Sequence, residues 1–266
     1  MTMRPWLFLP AFLLSGAALV FSQTQCMPPD AMKPQLQGKP AAGALNDLGV
    51  WFGDHKQYDC AANVFAASLQ AEPEQKDAPH VAFMFGVSLD LSGDLKEAIP
   101  ALQAAEQLGY RDIRLHVILA EALDATHATK DAEAEWRRAL EYDPELSSAL
   151  DALSNDLLLD KDYASAIAVL EVPRLVGQRT PQQSLTLATA YAATGKLDET
   201  ARVLRDGLNT SPDSLDLAKR LGSALIQLHR RDEAVALLEL TVAKHPEDPE
   251  ARADLAKAQA MSGGAK

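Results

Sequence analysis

Six histidines and two cysteines are the side chains in this sequence best suited to hold a metal or act as nucleophiles, and their spacing serves neither use. A hydrolytic zinc site on a helix needs His-Glu-x-x-His, which puts two imidazoles on one face with a general base between them. A thiolate cage needs paired Cys-x-x-Cys, and a phosphate cradle needs a Gly-rich loop; none of these patterns occurs. His116 lies in an apolar stretch close to an expected buried ridge, and His127 and His229 fall in turn sequences. His55, His80 and His245 stand near helix ends or in loops, so all six read as structural residues with no carboxylate or thiol placed beside them. Cys60 likewise has no partner base. The expectation is therefore no catalytic residue, no metal site and no cofactor.

The cysteines have a second use. In an oxidising compartment Cys26 and Cys60 form a single bridge tying the N-terminal tail to the first helices; the alternative is two unpaired thiols, and the sequence holds no Cβ separation to decide between them. The start of the chain points to such a compartment. Arg4 precedes an apolar run from Trp6 to Phe21, interrupted by Pro10, Ser15 and Gly16, and polarity returns at Ser22. This is the pattern of a signal peptide over residues 1–22, with cleavage after Ser22. The run is shorter than the ~20 residues that cross a bilayer and contains a proline, so an uncleaved membrane-holding segment is the lesser alternative. Gln23-Thr24-Gln25 before Cys26 does not resemble a lipoprotein box, which takes small residues there. An exported chain, periplasmic or secreted, is expected, with no membrane insertion of the mature protein. The short signal and sparse cysteines favour a bacterial periplasm. Residues 23–40 contain Pro28, Pro29, Pro34 and Pro40 with Gly38, a density that denies helix and predicts a linker.

Beyond that point the chain is helical in composition. Of its 266 residues 47% are hydrophobic but only 6% aromatic, and Ala and Leu recur throughout. The net charge of −12, with no long basic run, argues against nucleic acid or an anionic membrane as partner.

Self-similarity organises the rest. Leu48-Gly49, Phe52, Ala61, Phe65 and Pro73 recur in spacing as Leu119-Ala120, Leu123, Ala132, Trp136 and Pro144. The same spacing returns at Leu187-Ala188, Tyr191, Thr200, Leu204 and Pro212, then at Leu221-Gly222, Leu225, Ala234, Leu238 and Pro246. Two copies without the proline intervene: Phe85-Gly86, Leu89, Ala98 and Leu102, then Leu153-Ser154, Leu157, Ala166 and Leu170, with Tyr110 and Gln178 at the proline positions. The period is 34 residues, except for a first step three residues longer.

This pattern resembles the tetratricopeptide repeat family over about residues 41–246. The resemblance implies an all-α, right-handed superhelical solenoid of about six helix-turn-helix units. The small residue of each first helix marks where paired helices cross, and the bulky residue of each second helix fills the space between neighbours. Ser92-Gly93-Asp94 and Thr194-Gly195-Lys196 read as left-handed helix ends, and Thr180-Pro181 as a capped helix start. Pro100, inside a second helix, predicts a local kink. Residues 247–266 read as a polar capping helix followed by a frayed tail.

In the resembled family the first helices line a concave surface, which implies a non-catalytic scaffold holding a protein or peptide there. Helical offset from the packing markers places Asn46, Phe83, Asp90, Glu121, Asp124, Asp151, Asn155, Thr189 and Lys219 on that face as candidate partner-binding residues. The acidic members favour Lys or Arg on the partner. Arg114 alone cannot supply the cationic clamp with which some family members grip a C-terminal carboxylate. Self-association and, more remotely, a solenoid enzyme acting on peptide or carbohydrate are the alternative readings.

Overall fold

The computed structural model describes residues 26–171 and 178–261, so the expected signal peptide and frayed end lie outside the described residues. These residues form two compact units, divided between Asp143 and Pro144. Among them every regular element is helical. No described helix is long and apolar enough to cross a membrane.

In the first unit three helix pairs follow one another: α1 (Ala42–Asp54) with α2 (Tyr58–Ala71), α3 (Ala78–Ser92) with α4 (Leu95–Gln107), and α5 (Ile113–Ala125) with α6 (Thr129–Tyr142). The second contains α7 (Ser147–Leu159) with α8 (Tyr163–Leu170), α9 (Pro181–Ala193) with α10 (Leu197–Thr210), α11 (Leu215–Gln227) with α12 (Arg231–Lys244), and a final helix α13 (Pro249–Ala260) packed on α11 and α12. Each pair coincides with one copy of the sequence period. The second helices that precede Pro73, Pro144, Pro212 and Pro246 all stop two residues short of the proline, because the residue before a proline is pushed out of the helical region.

The marker residues meet as their sizes require. A Cβ built on Gly49 would sit 2.6 Å from the Phe65 ring, on Gly86 2.7 Å from Leu102, and on Gly222 2.6 Å from Leu238. In these three pairs the small residue of the first helix therefore lies directly against the bulky residue of the second. Phe65, Leu102, Trp136, Leu170, Leu204 and Leu238 are all buried, as are the small residues Ala61, Ala98, Ala132, Ala166, Thr200 and Ala234.

All six first helices end alike. Lys56, Gly93, His127, Lys161, Gly195 and His229 have positive φ. The amide after each donates to the carbonyl of the packing residue five positions earlier: Gln57 to Phe52, Asp94 to Leu89, Ala128 to Leu123, Asp162 to Leu157, Lys196 to Tyr191 and Arg230 to Leu225, at 2.8–2.9 Å. This closure satisfies carbonyls the helix leaves open. The glycines at two positions announced it; the lysines and histidines at the other four adopt it because the next helix must start in register. Replacing Lys161 or His127 by Gly removes the Cβ clash of the left-handed region and is expected to raise stability by about 0.5–1 kcal/mol in urea unfolding.

Two departures from expectation have local causes. The proline-rich segment is not devoid of helix: Lys33–Leu36 forms one 3-10 turn with Pro34 in its opening positions, where a missing amide costs nothing. Helix α8 has only eight residues, whereas the other second helices have 13 or 14, and Arg179 Nε donates to the carbonyl of its last residue, Leu170, at 2.8 Å. The helix after it starts on a capping box, Thr180 and Gln183 each satisfying the other's backbone amide.

Candidate functional site

Asp90 and Asp124 occupy the same position in successive copies, one residue past the third packing marker, and Glu121 lies one turn before Asp124 on α5. Repeat register thus brings three carboxylates together on the first helices of the N-terminal unit. Burial raises the Asp90 carboxyl above its ordinary value; for Glu121 burial acts first and the neighbouring Asp90 and Asp124 add to it. Asp124 accepts a hydrogen bond from the indole Nε1 of Trp136 at 2.8 Å, which orients it from below. Among the described residues no ion pair or hydrogen bond reaches the Asp90 or Glu121 carboxylate, so neither charge is compensated; Glu121 is exposed and Asp90 half-buried. The surrounding field has the same sign: residues 26–143 contain nineteen acidic and ten basic side chains.

A carboxyl whose pKa is raised in the fold retains a proton that the unfolded chain has lost, so its stabilising contribution is present at low pH and disappears as pH rises through the raised value. For Asp90 and Glu121 that window opens upward from the ordinary values of 3.8 and 4.5. Glu121→Gln is therefore expected to melt at higher temperature than the parent at about pH 7, with the advantage vanishing once the medium is acid enough to protonate Glu121 itself. Paired melting curves at the two pH values measure this.

The other candidate residues are placed differently. Phe83 is 3% exposed: the Tyr110 ring stacks on it at 4.3 Å with 13° between planes, and the Arg114 guanidinium lies over it at 5.8 Å, so it lies beneath the surface and does not line it. Tyr110 stands where other copies have proline, and freed from that constraint it folds back over α3. Asn46 is consumed internally, donating to Gln75 Oε1 at 2.9 Å and accepting from Ser68 Oγ; Gln75 belongs to the longer first connection. Lys219 pairs with Asp248 at 3.3 Å and Glu250 at 2.6 Å, which hold α13 in place. Thr189 Oγ1 donates to Leu185 of its own helix. On α7, exposed Asn155 accepts from Thr186 at 3.3 Å, and Asp151 Oδ2 receives Ser147 at 3.5 Å while its Oδ1 is buried without a hydrogen bond.

Two clusters escaped the sequence reading. His116 Nδ1 lies 2.8 Å from Glu135 Oε2, both residues buried, and Glu135 Oε1 also accepts from Arg138 at 3.0 Å. The expectation that no histidine stands beside a carboxylate is thus corrected; the detectable signal was Glu135 immediately before the Trp136 marker, on a face that must be buried. In the second unit the Tyr191 hydroxyl donates to Glu171, which also pairs with Arg202 at 2.6 Å. Burial and that hydrogen bond hold the Tyr191 hydroxyl up to about 12, so at neutral pH it is a donor and not a base. Among the described residues no group of three or more His, Cys, Asp or Glu is arranged to hold a metal ion.

Helix pairs of this period, with a small residue against a bulky one in the crossing, form an all-helical repeat fold in each unit. Residues 191–259 match the family model of the tetratricopeptide repeat. Among solved structures the fold is similar to a tetratricopeptide repeat protein from Parabacteroides merdae, with 18% identity, a TM-score of 0.55, and coverage of 84% of this chain and 94% of that one. The C-terminal part of a repeat-containing protein from Cytophaga hutchinsonii has 13% identity and a TM-score of 0.58 over 79% and 83% of the two chains. PilF of Pseudomonas aeruginosa has 15% identity and a TM-score of 0.50 over 81% and 97%. Likeness at these identities establishes the fold alone. No curated protein matches the sequence.

Proposed function

We propose that this protein is a non-catalytic interaction scaffold of the cell envelope or secreted space, and that the first-helix face of its N-terminal unit holds a basic, extended protein segment. The observation that carries this reading is the cluster Asp90, Glu121 and Asp124, which no cation pairs among the described residues, held in a unit with a large acidic excess. Carboxylates kept together against their mutual repulsion lower the stability of the fold and gain from a cation that arrives with a partner. The apolar N-terminal run, and a disulfide of the kind that persists outside the cytosol, support export.

Fluorescence anisotropy with three labelled peptides of equal length, one lysine-rich, one acidic and one neutral, tests the reading. The basic peptide alone should bind, more weakly as salt rises, and E121K/D124K should lower its affinity at least about tenfold. Binding unchanged by the charge reversal, or equal binding of all three peptides, would overturn it. A mass that grows with concentration and no peptide binding would put self-assembly in its place.

A further inference from the structure

A stack of helix pairs exposes apolar flank at both ends unless something covers it. In the second unit α13 covers the C-terminal flank, burying Ala251 and Ala258 and engaging α11 through Lys219 and through Ser223 Oγ, which donates to Asp254 at 2.7 Å. In the first unit no helix precedes α1 among the described residues. Residues 26–41 run there instead, and their 3-10 turn rests on α1.

This segment has little to hold it. None of its residues is fully buried, Met27 is 69% exposed while Pro28, Pro29, Met32, Leu36 and Pro40 are half-buried, and among the described residues its ion pair, Lys33 with Asp30, is internal to the segment. It is fastened at one end by running into α1 and at the other by the bond from Cys26 to Cys60, whose side chain is buried in the first turn of α2. We propose that residues 26–41 are a redox-released strap, an end cap that the Cys26–Cys60 disulfide keeps in place and that reduction detaches without unfolding the rest of its unit.

The accessible sulfur is that of Cys26, because Cys60 is 5% exposed. A dithiol reductant attacks Cys26 Sγ as its thiolate, forming a mixed disulfide and expelling the Cys60 thiolate, which takes up a proton. The second thiol of the reductant then displaces Cys26, so that two electrons and two protons pass to the protein and the reductant leaves as a disulfide. With the bond gone, no buried side chain resists departure of the strap, and the first-pair flank beneath it is uncovered.

Hydrogen exchange on the full chain, purified from an oxidising compartment, with and without a phosphine reductant and beside Cys26→Ser, tests the strap. The expected result is exchange in residues 27–54 faster by about tenfold or more after reduction, the same change in Cys26→Ser, and unaltered protection from α3 to α6. Unchanged exchange in residues 27–54 would show that non-covalent contacts hold the segment. Loss of protection throughout α1 to α6 would show that the bond is a staple for the whole unit. Either outcome overturns the proposal, and circular dichroism on the same samples separates the second from aggregation.

Discussion

Trp136→Ala is expected to destabilise the N-terminal unit by about 3–5 kcal/mol, the range for emptying a buried aromatic site. Trp136 is 3% exposed on α6 and fills the position that Phe65 and Leu102 fill in the preceding pairs. Its removal leaves a cavity on a helix whose other buried residues are Ala132, Glu135 and Ala139, and it strips Asp124 of its indole donor. Trp136→Phe separates the two effects: most of the volume stays, the hydrogen bond goes, and the loss should fall to about 1–2 kcal/mol. Urea unfolding of the three proteins measures both. A loss below about 1 kcal/mol for the alanine variant would mean that the bulky marker is not what holds the two helices of its pair together. The alanine variant should also loosen the acidic face, since the residue orienting Asp124 is gone.

Gly86→Ala carries the next largest effect for a single methyl group. The added Cβ would lie 2.7 Å from Leu102 Cγ and 3.1 Å from the Leu102 amide nitrogen, so α3 and α4 must separate, at a cost of about 1–3 kcal/mol. The clash is specific to the contact. At Gly53 on α1 nothing lies within 4 Å of the added atom, and there the same substitution should stabilise by about 0.5–1 kcal/mol through helix propensity and reduced freedom of the unfolded chain. Opposite signs for one chemical change on two first helices would establish that crossing geometry governs the cost. Combining Gly86→Ala with Leu102→Ala should cost less than the sum of the single changes, because the trimmed leucine makes room for the new methyl group.

Much of this molecule was legible in one dimension. The 34-residue step, the alternation of small and bulky markers and the prolines two residues past second helices all report local geometry: each depends on the size or backbone limits of a single residue. Gly49, Gly86 and Gly222 could be recognised as crossing points because a close approach admits no larger side chain. The left-handed closures at Gly93 and Gly195 were legible for the same reason, while those at Lys56, His127, Lys161 and His229 were hidden because their side chains do not require the conformation they adopt. Of the candidate surface, repeat register alone placed Asp90, Glu121 and Asp124 together.

What the sequence determined by itself, then, is the helical array, its register and the identity of its packing positions, since these follow from periodic local constraints. The tertiary structure decided which surface residues are left free. Tyr110 lies over Phe83, Gln75 engages Asn46, Glu135 meets His116 and the acids of α13 take Lys219. Each of these contacts joins residues on different elements, and helical offset within one element says which way a side chain points but not what the neighbouring element brings against it.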